Sequence, residues 1–319
     1  MPEQPSHTTQ ERILLVGLGE IAKTHLAVLA DMTDVTVIGG VDIAPRDDMN
    51  FRGRTLSVDS SVERAAAHLT PTLVVVATPT ATHAAVCVDV ARHFPDSAVL
   101  VEKPVADSLL DARQVLTDQT QFPRLRVAYH FQHAPEVRWG LETVRRQRAD
   151  LGEPVSARAV FADAYESDAR NALVRYGSSW LDSGINALSI LSLFANISRR
   201  TSIRQLGDTT WSTYEARFSC ESDSTEFNAT IVTTWHVTEA AKTTTIEYSS
   251  GSVLMLDHTG VAGYLFRNGQ IADMFGTDGS VNRRYSHYSG LYRSYLAGSL
   301  PAYNREVDLR LHEFLLAGP

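Results

Sequence analysis

The first 130 residues alternate short apolar runs, rich in β-branched side chains, with amphipathic stretches. RILLVG precedes IAKTHLAVLA, VTVIGGV follows, TLVVVAT precedes THAAVCVDVARHF, SAVLV precedes SLLDARQVLTD, and RLRVAYH closes the series. Near-continuous apolar runs of this kind suit strands buried on both faces, and the intervening amphipathic stretches are the helices that cover them. The rhythm predicts a doubly wound parallel sheet, an α/β domain over residues 11–130, behind a loose polar tail at 1–10. The span from 43 to 70 is less regular, and its helix is placed near SVERAAAHL.

Past residue 130 the pattern changes. A helix is expected from Pro135 to Arg148, a strand at PVSARAVF, and a helix over 180–194. From SIRQLG through TYEARFSC, EFNATIVTTWHV, KTTTIEYS, GSVLMLD and GYLFRN, Thr, Val, Ile and Tyr punctuated by Gly, Asp and Asn predict antiparallel strands. Helices near YSGLYRSYLAG and REVDLRLHEFLLA close the chain. Residues 131–319 are therefore read as an α+β domain on a large, mostly antiparallel open sheet. Its role is substrate binding and oligomerisation, and an exposed sheet face would suit a homodimer or homotetramer.

Charge and cysteine content exclude several function classes. The chain has 29 basic against 37 acidic residues, a net charge of −8, with Lys and Arg scattered apart from short pairs. That disfavours a nucleic-acid partner. Cys87 and Cys220 lack the spacing of a zinc site, so no metal is expected, and Cys87 within AAVCVDVA reads as core. The first ten residues lack the pattern of a signal peptide, and no run approaches 18 apolar residues. The expectation is a cytoplasmic protein with no membrane segment.

LLVGLGEIAKTHL places Gly17, Gly19 and Ala22 in a GxGxxA pattern between a strand and a helix. The first glycine allows a tight turn, the second lets backbone approach a pyrophosphate, and the small third residue lets the helix pack closely. Asp42, at the end of the second strand, can hold the adenosine ribose hydroxyls. A glycine-rich turn that binds nothing is the plain alternative, but strand, glycines and acid together favour a Rossmann dinucleotide site. Asp42 would repel a 2′-phosphate and argues for NAD, while Arg46 leaves NADP open. ATPTATH, with Thr78, Pro79, Thr80 and His83, and VEKPVA, with Glu102 and Lys103, each follow a strand, where ligands of such sheets bind. By itself Lys103 reads equally as an ordinary surface lysine.

GSSWLDSGINALSIL, residues 177 to 191, is apolar apart from a narrow stripe. On a helix Asp182, Asn186 and Ser189 fall within roughly 60° of one another. Burying an unpaired carboxylate costs several kcal/mol, so the stripe should face a partner, a ligand or a wet cleft. His130 and His133, just past a strand, read either as structural or as hydrogen-bonding groups for a sugar. Trp180 and Trp235 read as core or cleft-wall aromatics, and Asp163 and Tyr165 as within reach of a pocket.

Taken together, GxGxxA, TPTxTH, EKP and a later helix with Asp and a polar residue four apart resemble the glucose-fructose oxidoreductase, inositol dehydrogenase and MocA family. Within it, DSGINALSI, AYHFQHAP and YSGLYRSYLAG resemble the bacterial galactose and arabinose 1-dehydrogenases. The resemblance implies cofactor contacts from Gly17, Gly19, Glu20, Ile21, Asp42 and Arg46, and from Thr78, Pro79, Thr80, His83, Glu102 and Lys103. It implies catalytic roles for Lys103, Asp182 and Asn186, the last standing where the family more often has histidine. Substrate contacts would come from Lys103, His130, His133, Asp182 and Asn186. The implied activity is NAD(P)-dependent oxidation of a sugar or cyclic polyol, foremost of an aldose to its lactone. Reduction of a keto-sugar, or a sugar or NAD sensor without turnover, are the alternatives.

Overall fold

The computed structural model describes residues 10–44, 48–165, 169–207, 212–222, 225–280, 282–298 and 304–317. Two compact units divide the chain, Met1–Ala128 and Tyr129–Pro319. Residues 1–9 of the expected tail, and Arg46, lie outside the described residues.

In the first unit the elements run β1 (Glu11–Val16), α1 (Glu20–Ala30), β2 (Val35–Val41), β3 (Asp48–Phe51), β4 (Arg54–Asp59) and α2 (Val62–Ala66). They continue with β5 (Leu73–Val76), α3 (His83–His93), β6 (Ala98–Glu102), α4 (Leu109–Thr117) and β7 (Leu125–Ala128). The sheet order is β3-β4-β2-β1-β5-β6-β7, parallel except at the β3–β4 edge. The doubly wound domain is thus as the strand–helix rhythm predicts. Its central runs are fully buried: Ile13, Leu14, Leu15 and Leu73 through Val76 are all 0% exposed. The irregular 43–70 span holds an antiparallel hairpin that the apolar pattern did not reveal, because its strand DMNF carries only Met49 and Phe51 as apolar residues. The helix in SVERAAAHL is one short turn, N-capped by Ser61, whose hydroxyl accepts from the Arg64 N–H.

The second unit begins with α5 (Pro135–Leu151), β8 (Pro154–Ala162), α6 (Ala169–Tyr176), α7 (Ile185–Leu191) and β9 (Asn196–Leu206). Then come β10 (Thr213–Glu221), β11 (Glu226–Thr234), β12 (Ala241–Tyr248), β13 (Val253–Asp257), β14 (Ala262–Arg267) and β15 (Gln270–Phe275). Helices α8 (Arg283–Leu296) and α9 (Arg305–Leu316) end it. The sheet order is β15-β14-β13-β12-β8-β11-β10-β9, antiparallel except for β8 beside β11. This is the large, mostly antiparallel sheet that the strand pattern predicts. Helix α8 starts five residues before the expected YSGLYRSYLAG, because Asn282 caps it by accepting from the Tyr285 N–H at 3.1 Å.

Before α5, a 3-10 turn over His130–His133 packs against α8. The contact is so close that a Cβ on Gly290 would run into the His133 carbonyl oxygen. Gly290→Ala should therefore lower stability by about 1–3 kcal/mol, the usual cost of overpacking, seen as an earlier urea midpoint. An unchanged midpoint would show that α8 slides away freely.

Candidate functional site

In the first unit β1 runs directly into Gly17, whose φ is +89°. A Cβ there would press on the Ala77 and Thr78 backbone at 2.7–2.8 Å, so only glycine passes the end of β5. Gly19 caps α1 with no side-chain hydrogen bond, and nothing lies within 4 Å of its Cβ direction. Among the described residues nothing crowds the Cβ direction of Gly19 at the start of α1, which suits close approach by an anionic pyrophosphate. Beside them, Glu20 is exposed and pairs with Lys23 at 2.6 Å, and Ile21 is half-buried. Asp42 Oδ2 accepts from the Leu18 N–H at 2.9 Å, and Oδ1 from the Ala44 N–H at 2.8 Å. Those bonds orient the carboxylate at the end of β2. The glycine turn and Asp42 fit a dinucleotide.

The other two strand-end loops are tied to each other by a histidine. His83 is 1% exposed, with Nδ1 2.8 Å from the Pro104 carbonyl and Nε2 2.7 Å from the Thr78 carbonyl. Both ring nitrogens, expected near the cofactor, lie on backbone. Burial outweighs these carbonyls and lowers the ring's pKa. Thr78 is half-buried and Pro79 exposed, and Thr80 opens a 3-10 turn closed by Thr82 Oγ1 donating to the Pro79 carbonyl at 2.7 Å. Glu102, 6% exposed, accepts from His25 Nε2 at 3.1 Å, and its other oxygen accepts from the Lys103 N–H at 3.3 Å. His25, which sequence reading missed, anchors the EKP turn from α1. Lys103 is half-buried at the end of β6.

In the second unit the expected helix over 180–194 is divided. Trp180–Gly184 forms a π-helical turn and α7 only Ile185–Leu191. The wide turn is held from outside: the Ser179 N–H donates to Ser212 Oγ at 2.7 Å, and Trp180 Nε1 donates to the Leu315 carbonyl at 2.9 Å. Gly184 makes room for the Trp180 ring, which a Cβ would meet at 2.8 Å. Such turns concentrate at functional sites.

Asp182 lies in the π turn, half-buried, and Asn186 is 3% exposed. Ser189 Oγ donates to the Asn186 carbonyl at 2.8 Å, and Asn186 Nδ2 to the Asp182 carbonyl at 3.3 Å. Asn186 Oδ1 is buried with no hydrogen-bond partner among the described residues. Leaving such an oxygen unmet costs about 1–3 kcal/mol, so it invites a donor. Trp180 and Trp235 are both core, 4% and 0% exposed. Tyr165 stands edge-on to Trp235 at 5.6 Å, and its pKa is raised by burial and by Asp182.

Asp163 is bound into a buried polar group that sequence reading did not assemble. Lys242 Nζ lies 2.5 Å from Asp163 Oδ1, and Ser183 Oγ donates to Oδ2 at 2.7 Å. A signal was present: Lys242 shares strand parity with Thr244, Ile246 and Tyr248, all buried. Nearby, Glu136 and His258, both 0% exposed, meet at 2.8 Å, and His258 Nε2 lies 2.9 Å from Thr244 Oγ1. His130 stacks on Tyr288 with ring centroids 4.7 Å apart. His133 is buried, its pKa pushed down to about 4 by desolvation and by Arg138. Burial raises the thiols of Cys87 and Cys220 to about 12, which makes them unreactive.

Residues 11–122 match the model of the Gfo/Idh/MocA family, described as an oxidoreductase family with an NAD-binding Rossmann fold. No curated protein matches the chain significantly. Solved structures share its fold. An oxidoreductase from Agrobacterium radiobacter, in complex with NAD+, L-tartaric acid and magnesium, is 14% identical with a TM-score of 0.77, over 97% of this chain and 95% of that one. GenD2 from gentamicin A biosynthesis, in complex with NAD, is 22% identical with a TM-score of 0.74, over 99% and 95%. A Gfo/Idh/MocA family oxidoreductase from Vibrio cholerae is 18% identical with a TM-score of 0.72, over 96% of each chain.

The His133 environment predicts an acid-labile second unit. The unfolded ring titrates near 6.5 and the folded one at about 4, so the unfolded chain takes the proton first. Stability is intact above pH 6.5 and is lost as pH falls toward 4. Between pH 7 and 4.5 His133 should contribute roughly 2–3 kcal/mol of loss. Urea titrations at both pH values should show a smaller loss in His133→Gln than in the unmodified chain.

Proposed function

We propose that this chain, whose residues 11–122 match the Gfo/Idh/MocA oxidoreductase family model, is an NAD-dependent dehydrogenase of a sugar or cyclic polyol. Oxidation of the anomeric hydroxyl of an aldose to the lactone is the favoured reaction. The observation that carries the reading is Asn186 Oδ1, a buried acceptor with no hydrogen-bond donor among the described residues, one helical turn from Asp182. A polyhydroxylated substrate supplies the missing donor. Asn186 does not titrate in the working range and orients hydroxyls only. The exposed Ile271 and Met274 on edge strand β15 support self-association as a homodimer or homotetramer.

NAD, when bound, supplies the hydride acceptor. Gly17, Gly19 and the start of α1 would hold its pyrophosphate, and Asp42 its ribose. Oxidation of a C–OH group also releases the hydroxyl proton. Lys103 and Asp182 are the two groups proposed to receive it. A free lysine, with a pKa near 10.4, is a poor base at neutral pH. Neutral Lys103 accepts a proton as an amine, whereas Asp182 accepts one as a carboxylate.

Calorimetric titration should show NAD binding more tightly than NADP, with Asp42→Ala narrowing the gap. Tighter NADP binding by the unmodified chain would remove Asp42 as the selector.

Absorbance at 340 nm with NAD and a panel of aldoses and cyclic polyols tests the activity. Lys103→Met should lower kcat by roughly 10² or more while NAD affinity stays within a few fold. Asp182→Asn should lower kcat strongly, and Asn186→Ala should mainly raise KM. Absence of turnover across the panel would overturn the sugar and polyol reading.

A further inference from the structure

Lys242 is the least expected residue of the second unit. It stands second in β12 on the strand's buried face, 6% exposed, with its ammonium 5.8 Å from the Phe131 ring centroid and 5.6 Å from that of Phe161. A methionine would fill that space without desolvating a charge, so packing alone gives no reason for lysine. The ammonium is instead the end of a chain of polar contacts. It meets Asp163 Oδ1 at 2.5 Å, Asp163 Oδ2 accepts from Ser183 Oγ at 2.7 Å, and Ser183 follows Asp182 in the π turn. The Asp163 N–H donates to the Thr234 carbonyl at 2.9 Å, which fixes the carboxylate's backbone to the sheet.

We propose that Lys242 is a positioning residue for Asp182: through Asp163 and Ser183 it sets the π turn, and its ammonium favours the ionised form of that carboxylate. The inference rests on the proposed role of Asp182 in proton transfer. Asp163 and Asp182 are two carboxylates acting on one buried lysine, and both hold its proton against the larger effect of burial. Interaction of this kind is mutual, so removing the ammonium disfavours both anions. Other charged or titratable neighbours of this group are Tyr165 after β8, Tyr176 on α6, His133 before α5, His258 after β13, and Arg283 and His287 on α8. Arg283 is a second cation, but its hydrogen bond reaches the His258 carbonyl at 3.5 Å. Among the described residues it is Lys242 that makes the close contact with Asp163 leading to Ser183.

The test uses the full chain with 13C-labelled aspartate carboxyls, the Asp182 signal being identified by its loss in Asp182→Asn. In Lys242→Met the Asp182 midpoint should rise by about one pH unit, a tenfold weaker acid, whereas Lys242→Arg should stay near the original value. An unmoved midpoint in Lys242→Met overturns the proposal. Should that variant not fold, Lys242→Gln is read instead: the same rise is expected, and an unmoved midpoint overturns the proposal. Kinetics give the second readout: kcat of Lys242→Met should fall at least tenfold, with KM for NAD unchanged and partial rescue by arginine. A chain without turnover defeats the dehydrogenase reading, while the titration still decides the link between Lys242 and Asp182.

Discussion

The central strands of the first unit cannot be solvated on either face, and most of that unit follows from this. Ile13, Leu14, Leu15, Val74, Val75, Leu100 and Val101 are all 0% exposed, so each strand needs cover above and below. Parallel strands joined by crossover helices satisfy that need, and they place every strand's C-terminal end along one edge of the sheet. The residues directly after β1, β2, β5 and β6 are Gly17, Asp42, Ala77 and Lys103. The glycine turn, the acid, the TPT loop and the EKP lysine therefore share an edge. A requirement for burial has the consequence of gathering these residues on one rim.

The second unit solves a different problem, that of burying charge. Lys242 with Asp163 and Glu136 with His258 lie inside the fold as pairs. Two well-packed apolar side chains would often be equally stable at such positions, so these pairs are better understood as devices that fix orientation. The Lys242 pair reaches the π turn through Ser183, and the Glu136 pair reaches β12 through Thr244. In the same unit Asn186 Oδ1 is buried with no hydrogen-bond partner among the described residues.

Much of this was legible in the sequence. Apolar runs and amphipathic stretches gave both sheets, and GxGxxA after a strand gave the glycine turn, because each is encoded by neighbours one to four positions apart. The Asp182 and Asn186 stripe was visible for the same reason. Local periodicity did not reveal that the helix carrying it opens with a π turn. That depends on Trp180 reaching Leu315 and Ser179 reaching Ser212, contacts 135 and 33 residues apart. The β3–β4 hairpin escaped notice because its strands are short and half polar.

The sequence by itself determined the fold class of each unit and the glycine turn with its acid. Tertiary structure decided which polar side chains have partners. His25 meets Glu102 across 77 residues of chain, Glu136 meets His258 across 122, and His83 divides its ring between two loops. The physical reason is one of range. Backbone periodicity records what the next few residues do, whereas a buried hydrogen bond is fixed only when distant strands have been brought into register and water has been excluded.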